Sequence, residues 1–296
     1  MKHLKILTIM LIGFACQPKP QTETTAETTE DSPTIGLVKL WASDSSLTTN
    51  ESIIYHPGMD VLFVSCIGSV PPDSMDNDGF IAQVSPANGE VINLKWVDGI
   101  SAPKGMGIVG NSLFVTNINE VLEIDIEKAE IIKSYPIEGA GFLNDISVGA
   151  DSTVYISDTG TNKIHQIKNQ ELGLFLESAD FKGPNGLLVK GNDLFVASYR
   201  GSEGNFIKVD MSTKELTVVA DSIVGGDGIV SLGEDFIVST WPGEVYLVAA
   251  DGTKSLLQDT REAKINAADI WFISDISMLL IPTFFDNRIV AYGIAE

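Results

Sequence analysis

The chain has 296 residues, 44% of them hydrophobic, and a formal net charge of -21. The strong negative charge argues against nucleic acid as a partner, because phosphate backbones are bound chiefly by Lys and Arg. The length is enough for one large domain with a substantial core. Only two cysteines, Cys16 and Cys66, are present, so a framework of disulfides is excluded.

The N-terminus has the features of an export signal. Two lysines precede an apolar run over residues 6–14, which is too short for a membrane-spanning helix of roughly 20 residues. A small residue and Cys16 follow, and this site resembles the processing box of bacterial lipoproteins. We therefore expect residues 1–15 to be a lipoprotein signal peptide and Cys16 to carry the lipid. Ordinary cleavage, with Cys16 as a bystander, is the alternative.

Residues 16–34 are rich in Thr, Glu, Pro and Gln. Such a segment has too little apolar surface to offset the entropy of ordering it, so we expect a flexible tether. Together with the signal, the tether predicts a lipid-anchored protein of the bacterial cell envelope, on the periplasmic side or on the outer membrane. Its membrane contact would be through the lipid alone, with a monomeric domain as the default.

A repeat of about 40 residues follows the tether. Short apolar runs of similar type recur at residues 61–65, 113–117, 154–158, 194–198, 236–240 and 279–283. Each is preceded and followed by a further short apolar run across a turn, and helical periodicity is nowhere sustained. Six repeats of three or four antiparallel strands predict an all-β fold, a six-bladed β-propeller over residues 35–296. We expect residues 35–41 to close the ring by pairing with the last blade.

The extra length between the first two repeats comes from the insert at residues 68–79. Its Asp-rich end resembles a calcium loop only faintly, because Ser85 stands where an EF-hand needs a carboxylate. We interpret this insert as a solvated turn.

One position of the repeat is rich in carboxylates and side-chain amides. It lies nine or ten residues before each recurring strand and is occupied by Glu51, Lys104, Asn144, Asn185, Asp227 and Asp269. Each precedes an apolar run that we interpret as the innermost strand of its blade. All six side chains would then rim the channel at one face.

Oxygen ligands of this kind suit a hard divalent cation such as calcium, and Glu51 and Asp227 would balance its charge. The alternative is that the Asn and Asp residues are merely good turn formers before strands. Turn chemistry does not account for Glu51. Lys104 would repel a cation, so we expect it to bind an anionic group of a substrate or to pair with a neighbouring carboxylate. Asp269 is a further candidate for substrate binding.

The segment Gly183-Pro184-Asn185-Gly186-Leu187 resembles the metal-binding Pro-Asn-Gly motif of the gluconolactonase, senescence marker protein and regucalcin family. More distantly, the chain is similar to paraoxonases and strictosidine synthases. Asn144-Asp145, Asp227-Gly228 and Glu51 fall in family order. The resemblance implies a six-bladed propeller that holds a divalent metal through Glu51, Asn185 and Asp227, with Asn144 as a ligand or a substrate contact. The chain departs from the family pattern at Leu143, where an Arg is often found.

The function implied by the resemblance is metal-assisted hydrolysis of a lactone or a related small ester. Calcium is the expected metal, with zinc, manganese or magnesium as alternatives. Asp227, or Asp145 beside Asn144, would accept the proton of the attacking water. The competing interpretation is a non-enzymatic envelope propeller that keeps a structural cation and binds a ligand or a protein partner.

Overall fold

The computed structural model describes residues 35–203 and 205–295, together with Met1. The predicted signal peptide, the lipidation site Cys16 and the tether lie outside these residues. Within the described part of the chain, no helix is long and apolar enough to cross a membrane.

The described chain forms six four-stranded antiparallel sheets, the blades of a six-bladed β-propeller, which confirms the predicted fold class. In blades 1 to 5 the strands follow one another in chain order from the first to the fourth.

The strands of the first three blades are, for blade 1, β2 (Asn50–His56), β3 (Val61–Cys66), β4 (Gly79–Val84) and β5 (Val91–Ile100); for blade 2, β6 (Pro103–Val109), β7 (Ser112–Asn117), β8 (Glu120–Asp125) and β9 (Glu130–Pro136); and for blade 3, β10 (Leu143–Val148), β11 (Val154–Asp158), β12 (Lys163–Lys168) and β13 (Glu171–Glu177). Those of the other three are, for blade 4, β14 (Pro184–Lys190), β15 (Asp193–Ser198), β16 (Phe206–Asp210) and β17 (Leu216–Ala220); for blade 5, β18 (Gly226–Leu232), β19 (Asp235–Thr240), β20 (Glu244–Val248) and β21 (Lys254–Asp259); and for blade 6, β22 (Trp271–Ile273), β23 (Met278–Pro282), β24 (Ile289–Ala295) and β1 (Gly36–Ala42). Short 3-10 helices span Ala179–Phe181 and Ser274–Ile276.

Blade 6 is built from both ends of the propeller. β1 pairs antiparallel with β24, with Gly36 opposite Ala295 and Ala42 opposite Val290. The run at residues 35–41 therefore closes the ring as predicted. Such closure pairs the edge that β24 would otherwise expose, and a propeller then has only short, protected sheet edges.

The first strands of the six blades form a closed ring around the channel, because each contacts the first strand of the next blade and β22 contacts β2. The core lies between neighbouring blades. Between blades 4 and 5, for example, Phe195, Phe206 and Phe236 pack together with ring centroids 4.4 to 6.0 Å apart. Cys66 is a buried free thiol in the cluster between blades 6 and 1.

Glycines in the first strands of blades 4 and 5 allow each of these strands to approach the next blade closely. A Cβ atom added at Gly186 would lie 1.6 Å from the carbonyl oxygen of Asp227 in the next blade. One added at Gly228 would lie 2.3 Å from the backbone nitrogen of Ile270. A side chain at either place would therefore push the first strands apart, and with them the residues on both sides of the channel.

We predict that Gly186→Ala lowers the free energy of unfolding by about 3 kcal/mol, because the added methyl meets backbone that cannot move aside. Chemical denaturation measures the change. Gly173→Ala is the matched control, since a Cβ there meets nothing within 4 Å. Equal stability of the two variants would contradict the close approach.

Candidate functional site

Five of the six predicted positions lie together at one mouth of the channel. Each is the second residue of the first strand of its blade: Glu51 in β2, Lys104 in β6, Asn144 in β10, Asn185 in β14 and Asp227 in β18. All five line one cavity of about 560 Å³, here called the mouth cavity. The structure therefore brings these five residues together around one cavity.

A break in strand pairing occurs at each of these positions. The register between the first and second strands shifts between Pro184 and Leu187 in blade 4, and between Gly226 and Ile229 in blade 5. Equivalent shifts occur in blades 1, 2 and 3. Such bulges re-aim side chains and are frequent beside active sites. Here they surround the residues that line the mouth cavity.

Three oxygen atoms of the mouth cavity are buried and accept no hydrogen bond. They are Glu51 Oε2, Asn185 Oδ1 and Asp227 Oδ1, on side chains that are 5%, 2% and 1% exposed. Burying a polar oxygen without a partner is costly, and more so when it belongs to a carboxylate. Their clustering calls for a positively charged or hydrogen-bonding partner that is not part of the protein.

Burial raises the pKa values of the two carboxyl groups at this site. Burial, followed by repulsion from Asp269 and partly offset by Lys104, raises the pKa of Glu51 to about 8. Burial and the nearby Glu51 and Asp269 carboxylates raise the pKa of Asp227 well above its ordinary value. Without a cation, both groups are driven towards their neutral forms.

Lys104 lies in the wall of the mouth cavity and is only 2% exposed. Its Nζ donates hydrogen bonds to the carbonyl oxygens of Pro72 (3.0 Å) and Ala102 (3.1 Å) and lies 4.5 Å from the ring centroid of Phe142. Burial lowers its pKa to about 8, while Glu51 and Asp73 act in the opposite direction. The sequence analysis expected a substrate anion or a carboxylate partner, and the structure adds carbonyl oxygens and an aromatic ring.

Asn144 is held by its amide group. Its Nδ2 donates to Thr159 Oγ1 at 3.5 Å, and that hydroxyl donates to the carbonyl oxygen of Pro184 at 2.7 Å. The nitrogen end therefore has a partner within the protein. The carbonyl end is left as the group that a ligand in the mouth cavity would meet.

The prediction that Asp269 rims the same mouth is wrong. Trp271 pairs with Leu280 in blade 6 as Val230 pairs with Ile237 in blade 5, so Ala268 is the residue equivalent to Asp227. Asp269 is one residue further along and lines a second cavity of about 700 Å³, which shares no lining residue with the mouth cavity. The spacing was misleading because a 3-10 helix lengthens the turn between β22 and β23.

Asp145 also lines the second cavity, so its position does not support the prediction that it accepts the proton of the attacking water as the alternative to Asp227. Its carboxylate accepts hydrogen bonds from the backbone nitrogens of Ile146 and Leu187, both at 2.6 Å. It also interacts with the carboxyl of Asp269 in the opposite blade, which accepts a hydrogen bond from Ser52 Oγ at 2.5 Å. These contacts tie neighbouring first strands together.

Sequence reasoning missed most of the rim of the mouth cavity. The missed residues are Ile67, Val70, Pro72, Gly141, Phe142, Thr159, Gly160, Tyr199, Arg200, Phe284 and Phe285. Trp241 lines the cavity too, and it directly follows a recurring strand, which is a signal for this mouth. The same signal applies to Thr159, Tyr199 and Phe284, since the second strand of an antiparallel pair ends where the first begins.

The donor atoms fit a hard cation. All three unpartnered atoms are oxygens, two from carboxylates and one from an amide, which is the chemistry preferred by calcium, magnesium and manganese. Among the described residues, no group of three or more His, Cys, Asp and Glu could hold a metal by itself. A cation at this mouth would therefore need the amide of Asn185, which is in place.

The fold and the mouth cavity define a six-bladed β-propeller with acidic and amide residues at one end of its channel. No protein-family model matches the sequence, and no curated protein shows significant similarity to it.

Solved structures share the fold at low sequence identity. Two structures of virginiamycin B lyase from Staphylococcus aureus are 15% identical. One is a catalytically inactive histidine-to-alanine variant with quinupristin, with a TM-score of 0.60 over 88% of this chain and 99% of that one. The other is the selenomethionine protein, with a TM-score of 0.61 over 88% and 100%. A streptogramin B lyase is 11% identical, with a TM-score of 0.61 over 88% and 98%. At these identities the likeness shows the fold alone.

We predict that Asp227→Asn raises the free energy of unfolding by about 1–3 kcal/mol when a chelator keeps divalent metals away. The reason is that the substitution removes a buried carboxylate without a partner. The folded state raises the pKa of Asp227, so the wild-type protein loses stability as the pH rises above the ordinary value of about 4 and through the folded value. The advantage of the variant should grow in that direction. Thermal unfolding across this pH range measures it.

Asp210→Asn provides a control of opposite sign. Hydrogen bonds, first from the Ser212 side chain, lower the pKa of the partly exposed Asp210 to about 2. Its contribution to stability is therefore present above pH 4 and lost as the pH falls towards 2. Destabilisation by both substitutions would contradict the uncompensated charge at Asp227.

Proposed function

We propose that the protein hydrolyses a lactone or a related small ester in the mouth cavity with a bound divalent cation, calcium in the first place. The observation that carries the proposal is the convergence of Glu51 Oε2, Asn185 Oδ1 and Asp227 Oδ1, all buried and without hydrogen-bond partners. The other buried polar atoms without partners, in Thr153, His165 and Ser198, belong to residues outside the described lining of this cavity.

Glu51, Asn185 and Asp227 would hold the cation, with Asn144 as a fourth ligand or a substrate contact. When bound, such a cation polarises an ester carbonyl and lowers the pKa of water. Its charge would also favour the ionised forms of Glu51 and Asp227, whose pKa values burial raises. Asp227 has two carboxylate oxygens, so one can hold the cation while the other accepts the proton of the attacking water.

Lys104 would stabilise the negative charge that develops in the reaction. Its ammonium is buried beside the mouth cavity, where electrostatic interactions are stronger than in water. Water adds across the ester, the bond between carbonyl carbon and ring oxygen breaks, and a carboxylate and an alcohol result. The new carboxylate is the anionic group that Lys104 is suited to bind.

The lining of the mouth cavity favours hydrolysis over a histidine-dependent lyase reaction. One of the similar lyase structures is a catalytically inactive variant in which a histidine is replaced by alanine. In this chain, the described residues that line the mouth cavity include no histidine. His56 lines the second cavity, and His165 lies in blade 3 near Asp158. Carboxylates are therefore the candidate proton acceptors.

We expect Glu51→Gln to weaken calcium binding at least 100-fold, about 2.7 kcal/mol, and to abolish lactone hydrolysis, because a required anionic ligand is lost. Titration calorimetry measures the affinity, and a lactone panel with and without calcium measures turnover. Glu171→Gln, on the exposed strand β13, is the matched control and should leave both unchanged. Retention of calcium binding and turnover by Glu51→Gln would refute the site. Tight calcium binding by the wild-type protein without turnover of any lactone would favour the non-enzymatic alternative.

We also propose that the chain is exported and anchored to the bacterial envelope by a lipid on Cys16. Supporting this are the lysines and the apolar run that precede the cysteine. Cells grown with an alkyne-tagged fatty acid should label the wild-type protein but not Cys16→Ser. Cys66→Ser should remain labelled, since Cys66 is buried in the propeller. An unlabelled wild-type protein released in soluble form would contradict the anchor.

A further inference from the structure

One side of the mouth cavity is apolar. Trp241 follows β19 of blade 5, Phe284 and Phe285 follow β23 of blade 6, and Ile67 and Val70 follow β3 of blade 1. These five residues, here called the aromatic wall, come from three consecutive blades. The proposed cation ligands Glu51, Asn185 and Asp227 lie instead in the first strands of blades 1, 4 and 5. The cavity therefore presents oxygen atoms from first strands and apolar side chains from the loops after second strands to the same ligand.

The three rings of the aromatic wall contact one another edge to face. The centroid of Trp241 lies 5.7 Å from that of Phe284 and 6.0 Å from that of Phe285, and the two Phe centroids lie 4.8 Å apart. The interplanar angles are 73° to 88°. Phe284 is buried, whereas Phe285 is 52% and Val70 53% exposed. An apolar surface thus remains uncovered at the cavity.

Hydrogen bonds hold the aromatic wall in this position. The backbone nitrogen of Phe284 donates to Asn50 Oδ1 at 3.2 Å, and Asn266 Nδ2 donates to the carbonyl oxygen of Trp241 at 2.8 Å. Asn287, in the same turn as Phe285, accepts a hydrogen bond from the backbone nitrogen of Thr49 at 2.7 Å. These bonds fix the turns that carry Trp241, Phe284 and Phe285. A preformed apolar surface loses little entropy when a ligand covers it.

Several polar groups on the remaining walls are already engaged within the protein. Lys104 donates two of its three N–H groups to carbonyl oxygens, Thr159 donates to the carbonyl oxygen of Pro184, and Asn144 donates to Thr159. The unpartnered oxygens of the cavity are those assigned to the cation. A ligand with many hydroxyl groups would need many free partners, and the walls offer few beyond Tyr199 and Arg200 at the rim.

From this division we infer that the substrate is a lactone or ester with an alkyl or aryl body, which lies on the aromatic wall while its carbonyl meets Glu51, Asn185 and Asp227. The inference rests on the proposed function for its reacting group. Polyhydroxylated sugar lactones are poor substrates on this account. The aromatic wall indicates the body of the substrate, and the oxygens of Glu51, Asn185 and Asp227 indicate its reacting group.

The test compares three lactones in the presence of calcium: γ-decalactone, γ-butyrolactone and glucono-δ-lactone. Because its hexyl chain buries apolar surface, γ-decalactone should show a kcat/KM at least roughly tenfold higher than that of either other lactone. Phe285→Ser should reduce the preference for γ-decalactone over γ-butyrolactone roughly fivefold, mainly through KM. Leu174→Ser, an equally exposed apolar residue on β13, is the control and should leave the preference unchanged.

A binding measurement separates this inference from the proposed function. A hexyl-substituted tetrahydrofuran has no ester bond, so its binding by calorimetry does not depend on turnover. If it binds the wild-type protein and binds Phe285→Ser more weakly, while no lactone is hydrolysed, the proposed function fails and the apolar ligand class stands. If glucono-δ-lactone is hydrolysed as efficiently as γ-decalactone, or if the ether does not bind, the inference is overturned.

Discussion

The arrangement at the mouth of the channel depends on one electrostatic constraint: two carboxylates and an amide oxygen are buried together without protein partners. Oxygen atoms in such a place are destabilising unless something positive or hydrogen-bonding meets them. Lys104 offsets part of the charge on Glu51, but its Nζ donates its hydrogen bonds to backbone carbonyls. A divalent cation would satisfy the constraint with the donor atoms at hand, and the proposed chemistry depends on such a cation.

The fold imposes this constraint through the ring of first strands. Five of these strands begin at one mouth with a residue of the site in second position, and each has a register shift at that point. Gly186 and Gly228 let neighbouring strands approach so closely that no side chain fits between them. The buried oxygens lower the stability of the fold at the centre of the propeller. The apolar packing between blades compensates for this loss.

The fold and much of the site could be predicted from sequence because both repeat. Alternating apolar runs and turn residues located six blades, and residues 35–41 were expected to pair with the last of them. Asp269 shows the limit: a turn of different length moved it by one position, and in a strand one position changes the face on which a side chain lies. The roles of Phe284 and Phe285 could not be read from the repeat, because rim loops share a location but not a residue type.

The most direct test of the cation site is a crystal structure of the protein grown or soaked with calcium, or with manganese as an anomalous scatterer. The account predicts a single peak in the mouth cavity, about 2.3 to 2.6 Å from oxygens of Glu51, Asn185 and Asp227 for calcium. At saturating metal, an empty cavity in which these oxygens bind only water or Lys104 would contradict it.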